Sequence, residues 1–196
     1  MQKLRNKNIK SSVKLIAGTW RGRKINFLEK DNLRPTKGII KETLFNFLRN
    51  SIEGSTCIDM FAGSGSLGFE AASRGAKYVY MLENDKQIID CLKNQKKSLS
   101  AKNINIIQTD ANVFESHIQD KVDIIFLDPP FSENLLQNLI DKISLSKILK
   151  DKCKIYMEIP YTKDYTKEYK IPENWVVLKE GKSGDVSYLL LQHNMI

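Results

Sequence analysis

Residues 56–68 read TCIDMFAGSGSLG. An apolar run, TCIDMFA, passes into three glycines, Gly63, Gly65 and Gly68, spaced GxGxxG, and Leu67–Ser73 then has helical character. A strand that turns through glycines directly into a helix lets the backbone come close to a ligand, where helix N-terminal N–H groups point outward. Working outward, YVYML (78–82), NINIIQ (103–108), VDIIFL (122–127) and KIYMEI (154–159) read as further strands. Residues 85–100 and 132–143 (SENLLQNLIDKI) read as helices between them. WVVLKE (175–180) and VSYLLLQ (186–192) flank GKSGD, the pattern of a closing hairpin. Strands alternating with helices predict an α/β fold with a parallel sheet, and the final hairpin adds an antiparallel edge.

Upstream of residue 56, Ile39, Ile40, Leu44, Phe45, Phe47 and Leu48 recur at helical spacing, with the helix starting just after Thr36 because Pro35 biases Arg34 towards extended geometry. Before it, VKLIAG and RGRKINF are short alternating stretches that fit a hairpin or an extended segment crossing a ligand. Charge divides the chain at this point. The net charge is +8, and residues 1–24 hold eight basic residues and no acidic one, leaving 23 of each sign in residues 25–196. The sequence thus reads as a basic N-terminal arm (1–30) before a neutral domain (31–196), and such asymmetry points to a polyanion as partner.

Composition excludes other classes. At 41% hydrophobic and 28% charged, the chain is neither disordered nor fibrous. It has no apolar run of membrane-spanning length and no apolar signal-peptide core at its start. Cys57, Cys91 and Cys153 stand singly, which argues against a disulfide framework or a zinc site and fits a reducing cytoplasm. His117 and His193 are isolated and read as surface residues, so catalysis built on a Ser–His or Cys–His pair is disfavoured.

Glu83 follows Gly63 by 20 residues, at the end of the next strand, where a carboxylate accepts both hydroxyls of a ribose. The loop alone serves NAD, FAD or S-adenosylmethionine. Asp59, just ahead of the glycines, is awkward beside a pyrophosphate and useful beside a sulfonium or its ammonium. Asp110, ending the third strand, is placed to accept from an adenine amine; both aspartates could equally be caps or strand ends. FLDPPF (126–131) ends the fourth strand at the edge where ligands bind in open α/β sheets. Two prolines remove two N–H donors, so Asp128 and the Pro129 carbonyl make an acceptor-lined corner beside the ring of Phe131. That corner suits a planar –NH2 group on an aromatic base.

Together, DPPF and Asp59–Gly68 resemble the class I, S-adenosylmethionine-dependent methyltransferases of exocyclic amines. GTWRGRKI (18–25), LRPTKGIIKETLFNFL (33–48), DMFAGSGSLGFEAASRGA (59–76), FLDPPF and EGKSGDVSYLLLQ (180–192) are similar to the bacterial 16S rRNA guanine-N2 methyltransferases of RsmD type. The similarity runs from about residue 13 to 192. It departs at GTWRG, where the family more often has GGxWRG, and at Glu83-Asn.

The resemblance implies a Rossmann-like, seven-stranded, mostly parallel sheet with a C-terminal antiparallel hairpin and a small basic N-terminal extension. It implies S-adenosylmethionine lying across Asp59, Phe61, Gly63, Gly65 and Gly68, with Glu83 on the ribose and Asp110 and Ala111 at the adenine. Asp128, Pro129 and Phe131 would hold the target, guanine 966 of 16S rRNA in the small subunit or its assembly intermediate. A monomer is the default expectation, the chemistry needs no metal, and the isolated cysteines fit a cytoplasmic enzyme. Trp20, Arg21, Arg23 and Lys24 offer cations for phosphates and one ring, which either stacks on a base or packs on the domain. Arg34 and Thr36 close the cofactor pocket or face the base. The rival readings are an adenine-N6 DNA methyltransferase, a protein-glutamine methyltransferase, a non-catalytic RNA-binding factor and an NAD-dependent dehydrogenase. They lack, in turn, a target-recognition domain, an Asn in place of Asp128, any sign of degeneration, and a use for DPPF.

Overall fold

The computed structural model describes residues 9–28, 38–130 and 135–195. In chain order these form β1 (Ile9–Lys14), β2 (Lys24–Leu28), α1 (Gly38–Phe47), β3 (Thr56–Asp59), α2 (Ser66–Ser73), β4 (Tyr78–Glu83) and α3 (Lys86–Leu99). There follow β5 (Ile104–Gln108), a 3-10 segment (Ala111–His117), β6 (Val122–Leu127), α4 (Leu135–Leu145), β7 (Leu149–Pro160), β8 (Trp175–Ser183) and β9 (Val186–His193). The expected start of α1 at Thr36, together with Arg34, Thr36 and Phe131, lies outside the described residues.

The main sheet has seven strands in the order β5-β4-β3-β6-β7-β9-β8. Its first five strands are mutually parallel, while β9 runs antiparallel to both β7 and β8. The connections proceed from β3 to β4 to β5 and then return to the other side of β3 at β6. That reversal is the switch point where crossovers diverge and leave a crevice above the strand ends. The Gly-rich loop follows β3 and Asp128 follows β6, so the two candidate motifs stand on adjacent strands at this crevice.

Burial explains why the strands read as continuous apolar runs. Ile124–Leu127 of β6 are fully buried because both faces are covered. One face packs against α1, α2 and α3, joined by Leu15 and Ile25 of the β1-β2 hairpin. The other packs against the 3-10 segment and α4. The arm does form an antiparallel hairpin, with β2 falling within RGRKINF as far as Phe27. β1, however, lies earlier than read and shares only Val13 and Lys14 with VKLIAG, while Leu15 and Ile25 join the same core as the sheet.

Several elements differ from their sequence reading. In α1 the buried side chains are Ile40, Lys41, Leu44 and Phe45, whereas Ile39 is 71% and Phe47 49% exposed. The buried stripe is rotated towards Lys41 because that ammonium has partners inside. β7 begins five residues before KIYMEI, at Leu149, where a register shift between Val122 and Ile124 of β6 accommodates the charged Lys150–Lys152. The 3-10 segment has no periodicity to announce it; its signal is Asp110, whose Oδ1 accepts from Asn112 N (2.7 Å) as an N-cap. His193 is buried, not superficial, with Nδ1 3.2 Å from Asn174 Nδ2, while His117 is exposed. Cys57, Cys91 and Cys153 are free thiols. No described helix is long and apolar enough to cross a membrane.

Candidate active site

Four carboxylates line the carboxyl ends of the central strands: Asp59 closing β3, Glu83 closing β4, Asp110 beyond β5 and Asp128 beyond β6. Asp59 is 2% exposed, and its Oδ2 accepts from Gly68 N at 2.9 Å, with Phe61 N as a second backbone donor. Glu83 is partly buried; its Oε2 accepts from Gly63 N (3.0 Å) and its Oε1 from Asn84 N and Asp85 N (3.0 Å each). Gly65 N donates to Ala62 O (2.6 Å). The three motif glycines therefore spend their N–H groups inside the loop, two of them on carboxylates, and do not offer them outward. At Gly68 the missing side chain itself is required, since a Cβ would lie 2.9 Å from Met81 of β4.

This arrangement decides among the ligands the loop could serve. A pyrophosphate needs outward-pointing N–H donors and an absence of negative charge. Here the glycine donors are engaged and two carboxylates lie behind them, so the loop suits a cation. Burial pushes the Asp59 carboxyl up to about 7, opposed by the Gly68 hydrogen bond and reinforced by the negative charge of Glu83. An uncompensated buried carboxylate of this kind gains from a positive partner.

At the β6 end, Asp128 is partly buried and Pro129 buried, with Pro130 exposed. Met60 N donates to Phe126 O (3.0 Å), tying the exit of β3 to β6 immediately before the corner. Phe126 pairs with Tyr156 and Leu127 with Met157 across β6 and β7, which brings Glu158 alongside Asp128. The Tyr156 hydroxyl donates to Glu158 Oε1 (2.7 Å), and Asp128 adds to the negative field on that phenol. Burial, with both carboxylates, holds Tyr156 well above the usual phenol range. Glu158 and Tyr156 are thus parts of the corner's floor that the motif reading missed; their signal was a Tyr-x-Glu at the end of an apolar strand.

The model for conserved hypothetical protein 95 matches residues 13–192. The ribosomal RNA small subunit methyltransferase D of Haemophilus influenzae is 44% identical over 197 residues, covering 98% of this chain and all of that one. Its namesake in Escherichia coli is 35% identical, covering 92% of this chain and 89% of its own. The chain belongs to the methyltransferase D family. A solved structure of a candidate methyltransferase from Escherichia coli superposes with a TM-score of 0.81 at 34% identity, covering 95% of this chain and 100% of that one. The seven-stranded sheet with its antiparallel hairpin is accordingly the class I methyltransferase fold.

Methyl donors of this fold are of the S-adenosylmethionine type, and the residues present fit one. Ser66 Oγ, at the first residue of α2, is buried and has no hydrogen-bond partner among the described residues. A buried hydroxyl is rarely left so unless a ligand completes it. With Asp59 and Glu83 behind the loop, the donor set is one hydroxyl and two carboxylates, matched to a cationic ligand carrying hydroxyls. Asp110 is exposed, capping the 3-10 segment, and Ala111 is buried beneath it.

The family's basic hairpin lies elsewhere. Thr19 N donates to Ser73 O (2.8 Å) and Trp20 N to Ser73 Oγ (3.0 Å), at the last residue of α2. Arg23 donates to Ser98 O (3.2 Å) near the end of α3. Helices α2 and α3 run back from the carboxyl edge, so their ends mark the amino edge of the sheet. Trp20, Arg21, Arg23 and Lys24 are therefore brought together with one another but not with Asp128. Trp20 packs on the core, the second of its two readings, while the three cations are exposed.

Proposed function

We propose that the chain transfers a methyl group from S-adenosylmethionine to the exocyclic N2 of a guanine in 16S rRNA, guanine 966 on the family resemblance. The substrate is the small subunit or its assembly intermediate, and the enzyme acts as a monomer. The observation that carries this reading is the placement of Asp128 and Pro129 one strand from a cation-suited loop, at the switch point of the sheet. Relatives named as small-subunit rRNA methyltransferases support the substrate class.

When bound, S-adenosylmethionine supplies an electrophilic methyl carbon on a sulfonium. Asp59, Phe61, Gly63, Gly65, Ser66 and Gly68 would line its amino-acid end, Glu83 would take the ribose, and Asp110 with Ala111 would take the adenine. The chemistry left to the protein concerns the amine. A guanine N2 is a poor nucleophile because its lone pair is delocalised into the ring. Accepting its two N–H bonds at the Asp128 carboxylate and the Pro129 carbonyl draws the nitrogen towards tetrahedral geometry and aims the lone pair. The Asp128 charge also stabilises the positive charge that develops on nitrogen. The proton then leaves to Asp128 or to solvent. Phe131 stacks on the base, which must stand outside any helical stack to reach this edge. Residues 1–30 dock the RNA, and Arg34 and Thr36 serve either the cofactor pocket or the target base.

The test is methyl transfer from labelled S-adenosylmethionine to 30S particles from cells lacking the enzyme, with naked 16S rRNA and duplex DNA as controls. Label is expected as N2-methylguanine in rRNA alone. Asp128→Ala should lower kcat by about 10²–10³-fold with cofactor affinity retained. Near wild-type turnover in that variant would falsify the role of the corner.

A further inference from the structure

The cations of the hairpin turn, Arg21, Arg23 and Lys24, sit at the amino edge, remote from the corner that would receive the base. The RNA flanking that base must nonetheless be held at the carboxyl edge. The cofactor loop takes the β3–β5 half of this edge, which leaves the half formed by β7, β9 and β8 for the polynucleotide. Tyr161 is the first residue after β7, and its N–H donates to Asp185 O (2.8 Å) in the β8-β9 turn. The backbone there is thus pinned, yet the side chain is 47% exposed. Lys182, exposed near the end of β8, holds its Nζ 4.5 Å from the centre of the Tyr161 ring. An exposed aromatic on a fixed backbone, with an ammonium on its ring, has no role in the core described above.

We propose that Tyr161 and Lys182 form a nucleotide-binding platform, on which a base adjoining the target guanine stacks on the face of the Tyr161 ring turned away from Lys182, while Lys182 neutralises its phosphate. Register supports the distance. Leu127 pairs with Met157, so Asp128 is level with Glu158, and Tyr161 lies three residues further along. At about 3.3 Å per residue it rises about 10 Å above the corner and one strand to its side. That is the reach of a nucleotide one or two positions from an everted base. Stacking on an aromatic tolerates any base, and a lysine beside it supplies the electrostatic half of single-strand recognition. The Gly184-Asp185 turn that carries Lys182 into place belongs to EGKSGDVSYLLLQ, a segment to which the methyl-transfer site gives no other task.

This inference rests on the rRNA reading above, and two measurements keep their failures apart. In transfer assays on unmethylated 30S particles, Tyr161→Ala should raise KM about tenfold with kcat within twofold, and Tyr161→Phe should retain the wild-type KM. By fluorescence anisotropy with a labelled single-stranded RNA 10-mer containing one guanine, Lys182→Ala should reduce the slope of log affinity against log salt by about 0.7. In the same titration Tyr161→Ala should lower affinity at every salt concentration without changing the slope. S-adenosylmethionine affinity should be unchanged in all three variants. An active wild type whose Tyr161→Ala and Lys182→Ala variants match it in both assays overturns the platform. A defect with particles but none with the 10-mer also overturns it, since the surface would then dock a ribosomal protein. If the wild type methylates no rRNA, the methyl-transfer reading falls, and the 10-mer titration still decides the platform.

Discussion

Asp59 and Glu70 are both buried carboxylates, and both hold helix α2 in place, yet they are satisfied in opposite ways. Among the described residues Asp59 meets backbone N–H groups, those of Gly68 and Phe61, with Glu83 adding repulsion nearby. Glu70, fully buried on the same helix, meets two cations and two N–H groups. Its carboxylate lies 3.5 Å from Lys41 Nζ and 2.7 Å from Arg74 Nε, and accepts from Ile16 N (2.8 Å) and Ala17 N (3.0 Å). Lys41 in turn donates to Lys14 O (2.9 Å), and Arg74 lies 4.9 Å over the ring of Phe45. A carboxylate compensated on every side is architecture. One that is buried with no cation among the described residues gains from a positive partner.

The largest effect should come from breaking the compensated member. Glu70→Ala leaves the Lys41 ammonium buried and unpaired, and should cost about 3–5 kcal/mol in urea unfolding. Burial already lowers the Lys41 proton affinity against the opposing pull of Glu70. Replacing both members of the buried pair, Lys41→Met with Glu70→Gln, should recover most of the loss, because the only charge then left without its carboxylate is that of Arg74, which reaches solvent. A double variant as unstable as Glu70→Ala would mean that the hydrogen bonds to Ile16 and Ala17, not the ion pair, hold the hairpin.

Gly18→Ala tests the same junction by shape. Gly18 has φ +79°, and a Cβ there would overlap Ser73 O at the end of α2. The chain must both leave the left-handed region and back away from the helix, at about 1–3 kcal/mol. The thermal midpoint should fall, and amide exchange should speed up in residues 9–28 before it does in β6.

Asp59→Asn gives the smallest change and the most specific one. Because the folded Asp59 is raised to about 7, its contribution to stability is full below the unfolded carboxylate range and is lost as pH rises through about 7. The asparagine variant should therefore lose less stability than the wild type between pH 5 and 8 in thermal melts. A cation bound against Asp59 favours its ionised form, so wild-type affinity for S-adenosylmethionine should rise through the same range with proton release. Calorimetry in two buffers of different ionisation enthalpy reads that release, and an identical proton count in Asp59→Asn would remove Asp59 from the cofactor site.

These two carboxylates also mark how far the sequence could be read. Asp59, Glu83 and Asp128 were legible because each sits at a strand end beside a local motif, and strand ends at a switch point are where ligands collect. Glu70 was opaque. Its partners come from residues 14–17, 41 and 74, and nothing in FEAASR distinguishes a buried glutamate from a solvated one. Lys41 misled for the same reason. Periodicity assigns α1's inner face by hydrophobicity, which favours Ile39 and Phe47, whereas a buried ion pair pulls the face round to Lys41. Trp20 was readable as a residue type but not as a place. Only the Ser73 contacts put it at the amino edge, away from the base corner.

Helix α2 has eight residues and so is about 12 Å long, with the Gly-rich loop at its first residue and the hairpin turn bonded to its last. It behaves as a spacer bar between the loop and the hairpin. The hairpin is therefore not a detachable affinity tag: transplanted onto another methyltransferase without Lys41, Glu70 and Ser73, it would arrive with no seat. An exchange of this hairpin between family members would have to move the hairpin, α1 and α2 together as one cartridge.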